Sequence, residues 1–381
     1  MVDNLNVREV RVLCERGFTL VELMIAIVIS SVIVAGGYTI LTTTHKATIS
    51  NERAVGTQQN IRVAMELIAR DIKLAGFGMP AAGNLPVGGI AGNCAPGGTI
   101  AAIRPVDNNP AIPLTAINDT GADTISLIVP TTIAPNAPAL GWVLTSAAPT
   151  GPVSSTISLP ATAVTEMQNQ GMADNSGAYV SLGGMATFPV TSSSGTTISL
   201  GNPVAAPLSI PNGTPVYLLQ CITYQVQTGA GNCGSAGPCL TRTVDSGTAP
   251  PITTPLVDGV EDLQFAYACD GCNTAINSGI PNGVIDDLNA NNTFDVADFQ
   301  TNRVWSLTSF DPATIRLVQV NIVARQTAID QGTGEGIQAG ALSGPIQISD
   351  HLASNDAGYI AATYQSFRRR FLTRTVDTRN M

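Results

Sequence analysis

Charge is scarce in this chain. Only 12% of its 381 residues are Asp, Glu, Lys or Arg, and the balance is acidic, at −9. An acidic exterior excludes broad nucleic-acid binding, which needs a basic surface, so no nucleic-acid partner is expected. Histidine is scarcer still, with His45 and His351 alone. Neither has a triad partner or a metal ligand at a recognisable spacing. The chain also lacks a phosphate loop, a dinucleotide fingerprint and a nucleophile motif. An enzyme is therefore not expected.

What the chain has in abundance is glycine (37), proline (24) and small polar and aliphatic residues. That composition favours short strands and turns over long soluble helices. The length allows two domains. One run breaks the pattern. Phe18 to Leu41 is a membrane-spanning run whose only charge is Glu22. As a helix it would be about 36 Å long, against about 30 Å of bilayer hydrocarbon. A carboxylate inside such a run is costly and tends to be functional. Basic residues Arg8, Arg11 and Arg16 precede the run and the long acidic part follows it. The positive-inside bias then puts the N-terminus in the cytoplasm and the bulk of the chain across the membrane.

Helical periodicity resumes beyond Thr42-Thr43-Thr44. Ile61, Ala64, Met65, Ile68, Ile72 and Ala75 form an amphipathic stripe, with Glu66, Arg70, Asp71 and Lys73 off it. Gly76-Phe77-Gly78-Met79-Pro80 supplies a stop, and Gly56 and the threonine run are expected to bend or loosen the helix. From 81 to about 255 the chain is turn-rich. Candidate strands there are Thr124–Val129, Gly141–Thr145, Thr156–Leu159, Ala178–Leu182, Thr196–Leu200 and Val216–Val226. In the last third, Leu263, Phe265 and Tyr267 alternate with Asp262, Gln264 and Ala266, and Val318, Val320 and Ile322 share a face of Thr314–Gln326. These predict long antiparallel strands with one buried face.

Arg16-Gly17-Phe18-Thr19-Leu20-Val21-Glu22 resembles the cleavage box of type IV prepilins. The resemblance implies that a membrane peptidase cuts between Gly17 and Phe18 and N-methylates Phe18. Glu22 then becomes the fifth residue of the mature chain, able to pair with a neighbouring subunit's α-amino group and fix axial register. Three further segments look like those of PilW-type minor pilins: Arg70–Gly78, Val257–Tyr267 and Phe367–Asn380. Residues 81 to 255 resemble no family.

The fold implied is α+β: a long N-terminal transmembrane and amphipathic helix packed on an antiparallel sheet head, with an added β-rich insertion. The expected divisions are a leader (1–17), a membrane span (18–41), a continuing amphipathic helix (42–80), the insertion (81–255) and a C-terminal pilin-like sheet (256–381). The implied role is a minor pilin that takes part in priming and assembly. Its partners would be other minor pilins and the major pilin through their N-terminal helices, the prepilin peptidase and the inner-membrane assembly platform. Its location would be the bacterial inner membrane, with the head periplasmic, and then the pilus or cell surface. A minor pseudopilin of type II secretion and a membrane-anchored adhesin are the alternatives.

Cys14 lies in the leader and would be lost. Cys94, Cys221, Cys233, Cys239, Cys269 and Cys272 remain, an even number in an oxidising compartment. Cys233 with Cys239 and Cys269 with Cys272 are natural local pairs, but sequence does not choose among the connectivities. Cys269-Asp-Gly-Cys272 would need a thioredoxin-like setting to act as a redox pair, or further ligands to hold zinc.

Residues 287 to 298 resemble a dockerin-like calcium loop. Asp287, Asn289, Asn291, Asp295 and Asp298 fall at the first, third, fifth, ninth and twelfth positions, and Thr293 offers its carbonyl at the seventh. Asn292 replaces the turn glycine, although Asn tolerates the left-handed region. Possible calcium is the one cofactor expected. Arg368-Arg369-Arg370 is expected to be a solvated or subunit-contacting strand, since alternate residues face opposite ways.

Overall fold

A computed structural model describes residues 18–77, 79, 85–86, 94, 99–108, 117–131, 142–148, 155–174, 178–201, 210–229, 231–234, 237–245, 251–272, 279–301, 303–305, 310–327 and 345–378. The leader, including Gly17, lies outside them, as do Gly78 and Pro80 of the helix stop.

The architecture is α+β. Helix α1 (Leu20–Leu74) is capped by Thr19, whose hydroxyl accepts from the Glu22 N–H. It runs through Thr42–Thr44 and Gly56 without interruption. Three threonines and one glycine in a helix this long cost about 1 kcal/mol or less each, too little to break it. Gly76 ends it, with φ 78° just past the cap at Ala75, the left-handed position that glycine fills without strain. The predicted stripe is buried in full, from Ile61 to Ala75. Each of Ile61, Met65, Ile68 and Ile72 contributes about 1.5–3 kcal/mol by leaving water.

The strands follow in chain order. β1 (Leu85–Pro86) pairs with β2 (Thr99–Ile100). The largest sheet comprises β3 (Ile103–Val106), β4 (Thr124–Pro130), β5 (Trp142–Val143), β6 (Ser155–Ser158), β7 (Tyr179–Leu182), β8 (Ala186–Ser194), β9 (Thr197–Leu200), β10 (Pro215–Thr228), β11 (Pro238–Asp245) and β12 (Ile252–Asp258). A short helix α2 (Ala161–Asn169) intervenes. β13 (Val260–Cys269), β14 (Ile315–Arg325) and β17 (Arg369–Asp377) make a separate three-stranded antiparallel sheet, and β15 (Gln347–Ile348) pairs with β16 (His351–Leu352).

β10 organises the molecule. Its first half, Val216 to Leu219, pairs with β7, and its second half pairs with β11 and β4. Two large hydrophobic cores lie along it, with a small third cluster of Ile128, Tyr179, Leu219 and Cys221 between them. One gathers the α1 stripe with Ile125, Leu127, Ile222, Tyr224, Leu240, Phe265, Val320 and their neighbours. The other gathers Trp142, Val164, Met167, Phe188, Ile198, Val216 and Leu218. The expected division at 255/256 falls inside β12, and β3, β4, β11 and the second half of β10 serve the helix-side core. The part with its own core is narrower, within residues 142 to 218.

β14 buries Val318, Val320 and Ile322 as the alternation predicts. β13 departs from it, because Asp262, Gln264 and Ala266 are buried as well as Leu263, Phe265 and Tyr267. Its second face and open edge are covered. Gln264 donates to the Gly121 carbonyl at 3.0 Å, and the Phe265 N–H donates to Asp123 Oδ2 at 3.0 Å. Between β12 and β13 the chain changes sheets at Gly259, with φ 81° and its Cα against the Arg325 carbonyl, leaving no room for a side chain.

Candidate functional site

The first half of α1 presents a bare apolar surface. Every residue from Phe18 to Leu41 is exposed, Phe18 by 84%. The helix is long and apolar enough to cross a membrane. Glu22 sits at its start, where Oε2 accepts from both the N–H and the hydroxyl of Thr19 at 3.0 Å. The carboxylate thus closes a capping box on its own helix end. It remains exposed.

The other end of α1 is locked into the head. Asp71 was expected off the buried stripe, yet it is buried. Tyr224 of β10 donates to its Oδ2 at 2.6 Å, and Arg242 Nε of β11 reaches the same oxygen at 3.2 Å. Burial and the neighbouring Asp71 charge raise the Tyr224 phenol well above its ordinary pKa, which keeps it a donor. Nearer the edge strand, Arg374 of β17 pairs with Glu66 at 2.7 Å.

The arginine cluster divides. Arg370 is exposed. Arg369 is not the solvated residue expected: its almost fully buried side chain makes a bidentate pair with Glu261, at 2.6 Å and 2.9 Å. It also donates to the Tyr364 carbonyl and lies over the Tyr364 ring. These groups line a cavity of about 380 Å³ with His351, Asp356 and Tyr359. His351 bonds Asp262 through Nδ1 and Asp356 through Nε2, both at 2.7 Å. Burial opposes its charge, but the two carboxylate hydrogen bonds outweigh that and raise its pKa to about 10. An imidazolium engaged at both nitrogens has no free base to offer. Sequence gave no sign of these partners, which lie far off in the chain or are common acidic residues.

Residues 287 to 298 form a compact loop ending in a 3₁₀ turn, Val296–Asp298. Asp287 accepts from the N–H groups of Asn291 at 3.3 Å and Asn292 at 2.6 Å. Asp298, fully buried, accepts from Leu288 and Asp295 at 2.7 Å each. Asn289 and Asn291 both donate to Asp295, and the Asn291 oxygen accepts from Thr293. Asn292 has φ 64°, the left-handed conformation that its position in the loop requires. Those two amide donations and the Ala297 N–H hold the Asp295 carboxyl below its usual range, the backbone bond most of all.

The six cysteines pair as Cys94–Cys221, Cys233–Cys239 and Cys269–Cys272. The two local pairs are those the spacing suggests. The third joins Cys94 to the middle of β10.

Comparison with known proteins places this geometry. Residues 13–38 match the family model of the prokaryotic N-terminal methylation motif. That match includes the exposed first part of α1. Residues 223–380, from the middle of β10 onward, match the model of Type IV Pilus-assembly protein W. The similarity covers about two-fifths of the chain. A type IV-like pilin from Thermus thermophilus is similar over 43% of this chain and 69% of its own, at 14% identity and a TM-score of 0.19. No curated protein matches.

Proposed function

We propose that this protein is a non-enzymatic minor pilin that helps to prime and assemble a type IV pilus. The observation that carries the reading is the contrast along α1. Its last turns are buried and locked by Asp71, while every residue from Phe18 to Leu41 is bare. A surface of that size and apolarity needs lipid or other helices around it. In the membrane it would anchor the chain with the head outside the cytoplasm. In a filament it would pack against the N-terminal helices of other minor pilins and the major pilin.

On this reading prepilin peptidase cuts after Gly17 and methylates Phe18, and the assembly platform then draws the mature chain from the inner membrane. Cleavage creates a new α-amino group one residue before Thr19. Glu22, which caps its own helix in the uncleaved chain, would then meet the α-amino group of a neighbour. Glu22→Leu should leave cleavage and membrane insertion intact but cut recruitment into pili about tenfold or more, since a charge in an apolar bundle loses its partner. The check is mass spectrometry of Phe18 together with quantification of the subunit in sheared pili. Normal incorporation would remove the pairing from the account. In a deletion strain, lost piliation supports the pilus role. Lost protein secretion with normal pili would make the protein a pseudopilin instead, and lost adhesion alone would make it an adhesin.

The loop at 287–298 is proposed to bind calcium through Asp287, Asn289, Asn291, Asp295, Asp298 and the Thr293 carbonyl, in the weak extracellular range of roughly 10⁻⁴ to 10⁻³ M. Asp287→Ala with Asp295→Ala should remove one calcium per chain, counted by equilibrium dialysis. An unchanged count would reduce the segment to a polar turn.

A further inference from the structure

Three aspartates outside that loop meet inside the head. Asp107 follows β3, Asp123 precedes β4, and Asp119 sits between them on a segment bridged to His351. One carboxylate oxygen from each lies within 4.8 Å of the others. Ligands held at 2.3–2.6 Å by one cation stand at most about 5 Å apart, so the three oxygens fit one ion.

Burial makes the cluster more than an acidic patch. Asp119 is 0% exposed, and among the described residues neither of its carboxylate oxygens has a hydrogen-bond partner. Asp350, 4% exposed, lies beside it, and its carbonyl accepts from the Asp119 N–H at 3.4 Å. A buried carboxylate without partners costs several kcal/mol unless a proton or a cation meets it. The other two are already aimed. Asp123 accepts from the N–H groups of Asn108 and Phe265, both at 3.0 Å, and Asp107 accepts from Arg303 at 3.0 Å. Such backbone donors orient metal-binding carboxylates from outside the ligand shell. His351 offsets some of the charge, but its imidazolium is held between Asp262 and Asp356.

We propose that Asp107, Asp119 and Asp123 form a second cation site, independent of the loop at 287–298, that takes a divalent ion of calcium's class. The donors are all oxygen and mostly anionic, which selects a hard cation. Three carboxylates from an irregular segment suit the flexible shell of calcium better than the octahedral shell of magnesium. The ion would tie the β3–β4 segment to the open edge of β13, where Asp123 already bonds Phe265. Without an ion, burial and the Asp350 and Asp107 charges push the Asp119 carboxyl up to about 7, and a shared proton is the competing way to neutralise the cluster.

The test uses the full chain in detergent, stripped with chelator, in the Asp287→Ala/Asp295→Ala background so that the loop contributes nothing. At about 1 mM calcium, this chain should bind one ion by equilibrium dialysis and melt several degrees higher than in chelator. Magnesium should give a smaller shift. Adding Asp119→Asn should abolish both binding and shift. In chelator the Asp119→Asn chain should melt no lower than its parent, because it loses a buried charge, and that melt establishes that it is folded. A background chain that binds no calcium, with identical melts in calcium and chelator, would overturn the site and leave the proton as the neutralising group. Calcium binding that persists in folded Asp119→Asn would also overturn it.

Discussion

At the scale of single residues, Asp71 shows what joins the stalk to the head. Its carboxylate is buried beside the apolar stripe and is held by Tyr224 from β10 and Arg242 from β11. Tyr224→Phe removes one donor and leaves the charge buried with a single partner. The expected cost is about 2 kcal/mol, the usual range for a hydrogen bond to a charged group. Melting of the detergent-solubilised chain checks it, and an unchanged midpoint would show that Arg242 alone suffices. None of this was legible beforehand. Periodicity marks apolar positions, so it found Ile61, Met65, Ile68 and Ile72 and assigned Asp71 to solvent. A polar residue whose burial depends on two partners more than a hundred residues away has no local signature. Gln264 and Asp262 were misassigned for the same reason. Cys233 with Cys239 was readable because only a short turn separates them, whereas Cys94–Cys221 depends on tertiary structure.

At the scale of elements, the strands with a continuous aliphatic signal were legible. Thr124–Pro130, Tyr179–Leu182, Thr197–Leu200 and Pro215–Thr228 lie within a residue or two of their expected bounds. The ones missed carry polar or mixed sequence. β8 runs into Ser192-Ser193-Ser194, and β11 reads Pro-Cys-Leu-Thr-Arg-Thr-Val-Asp. Their pairing comes from neighbours, β7 and β9 for the first, β10 and β12 for the second. β-propensity depends on such context more than on the residues alone. The helix was legible at both ends through Glu22 and Gly76, but its continuity between them was not. Gly56 lowers propensity in a helix whose C-terminal quarter is fixed by packing, and packing decides.

At the scale of the molecule, the two cores are joined in a restricted way. β4 and β10 pair directly, with Pro130 opposite Leu219, and the Thr131 N–H donates to the Leu218 carbonyl at 2.7 Å. The excursion between them leaves and returns at one point of the sheet. Replacing residues 132–217 by a short glycine-containing turn should therefore leave α1, the β4–β10–β11–β12 ladder and the β13–β14–β17 sheet folded. A cooperative melt of the shortened chain checks this, with some stability lost where Tyr179 packs beside Cys94 and Cys221. An aggregated or non-cooperative product would show that the outer core is needed to build the inner one.

The closed neck at Thr131 and Leu218 also separates two rates of change. Beyond the neck, the outer lobe can be lengthened, traded or discarded at limited cost, because it meets the sheet beneath at few places besides the neck, Tyr179 and Gln170 among them. Below the neck, a substitution at Asp71, Tyr224 or Gly259 disturbs helix and sheet together. The molecule is therefore built so that its outer surface can diversify while the junction of helix and sheet stays the same.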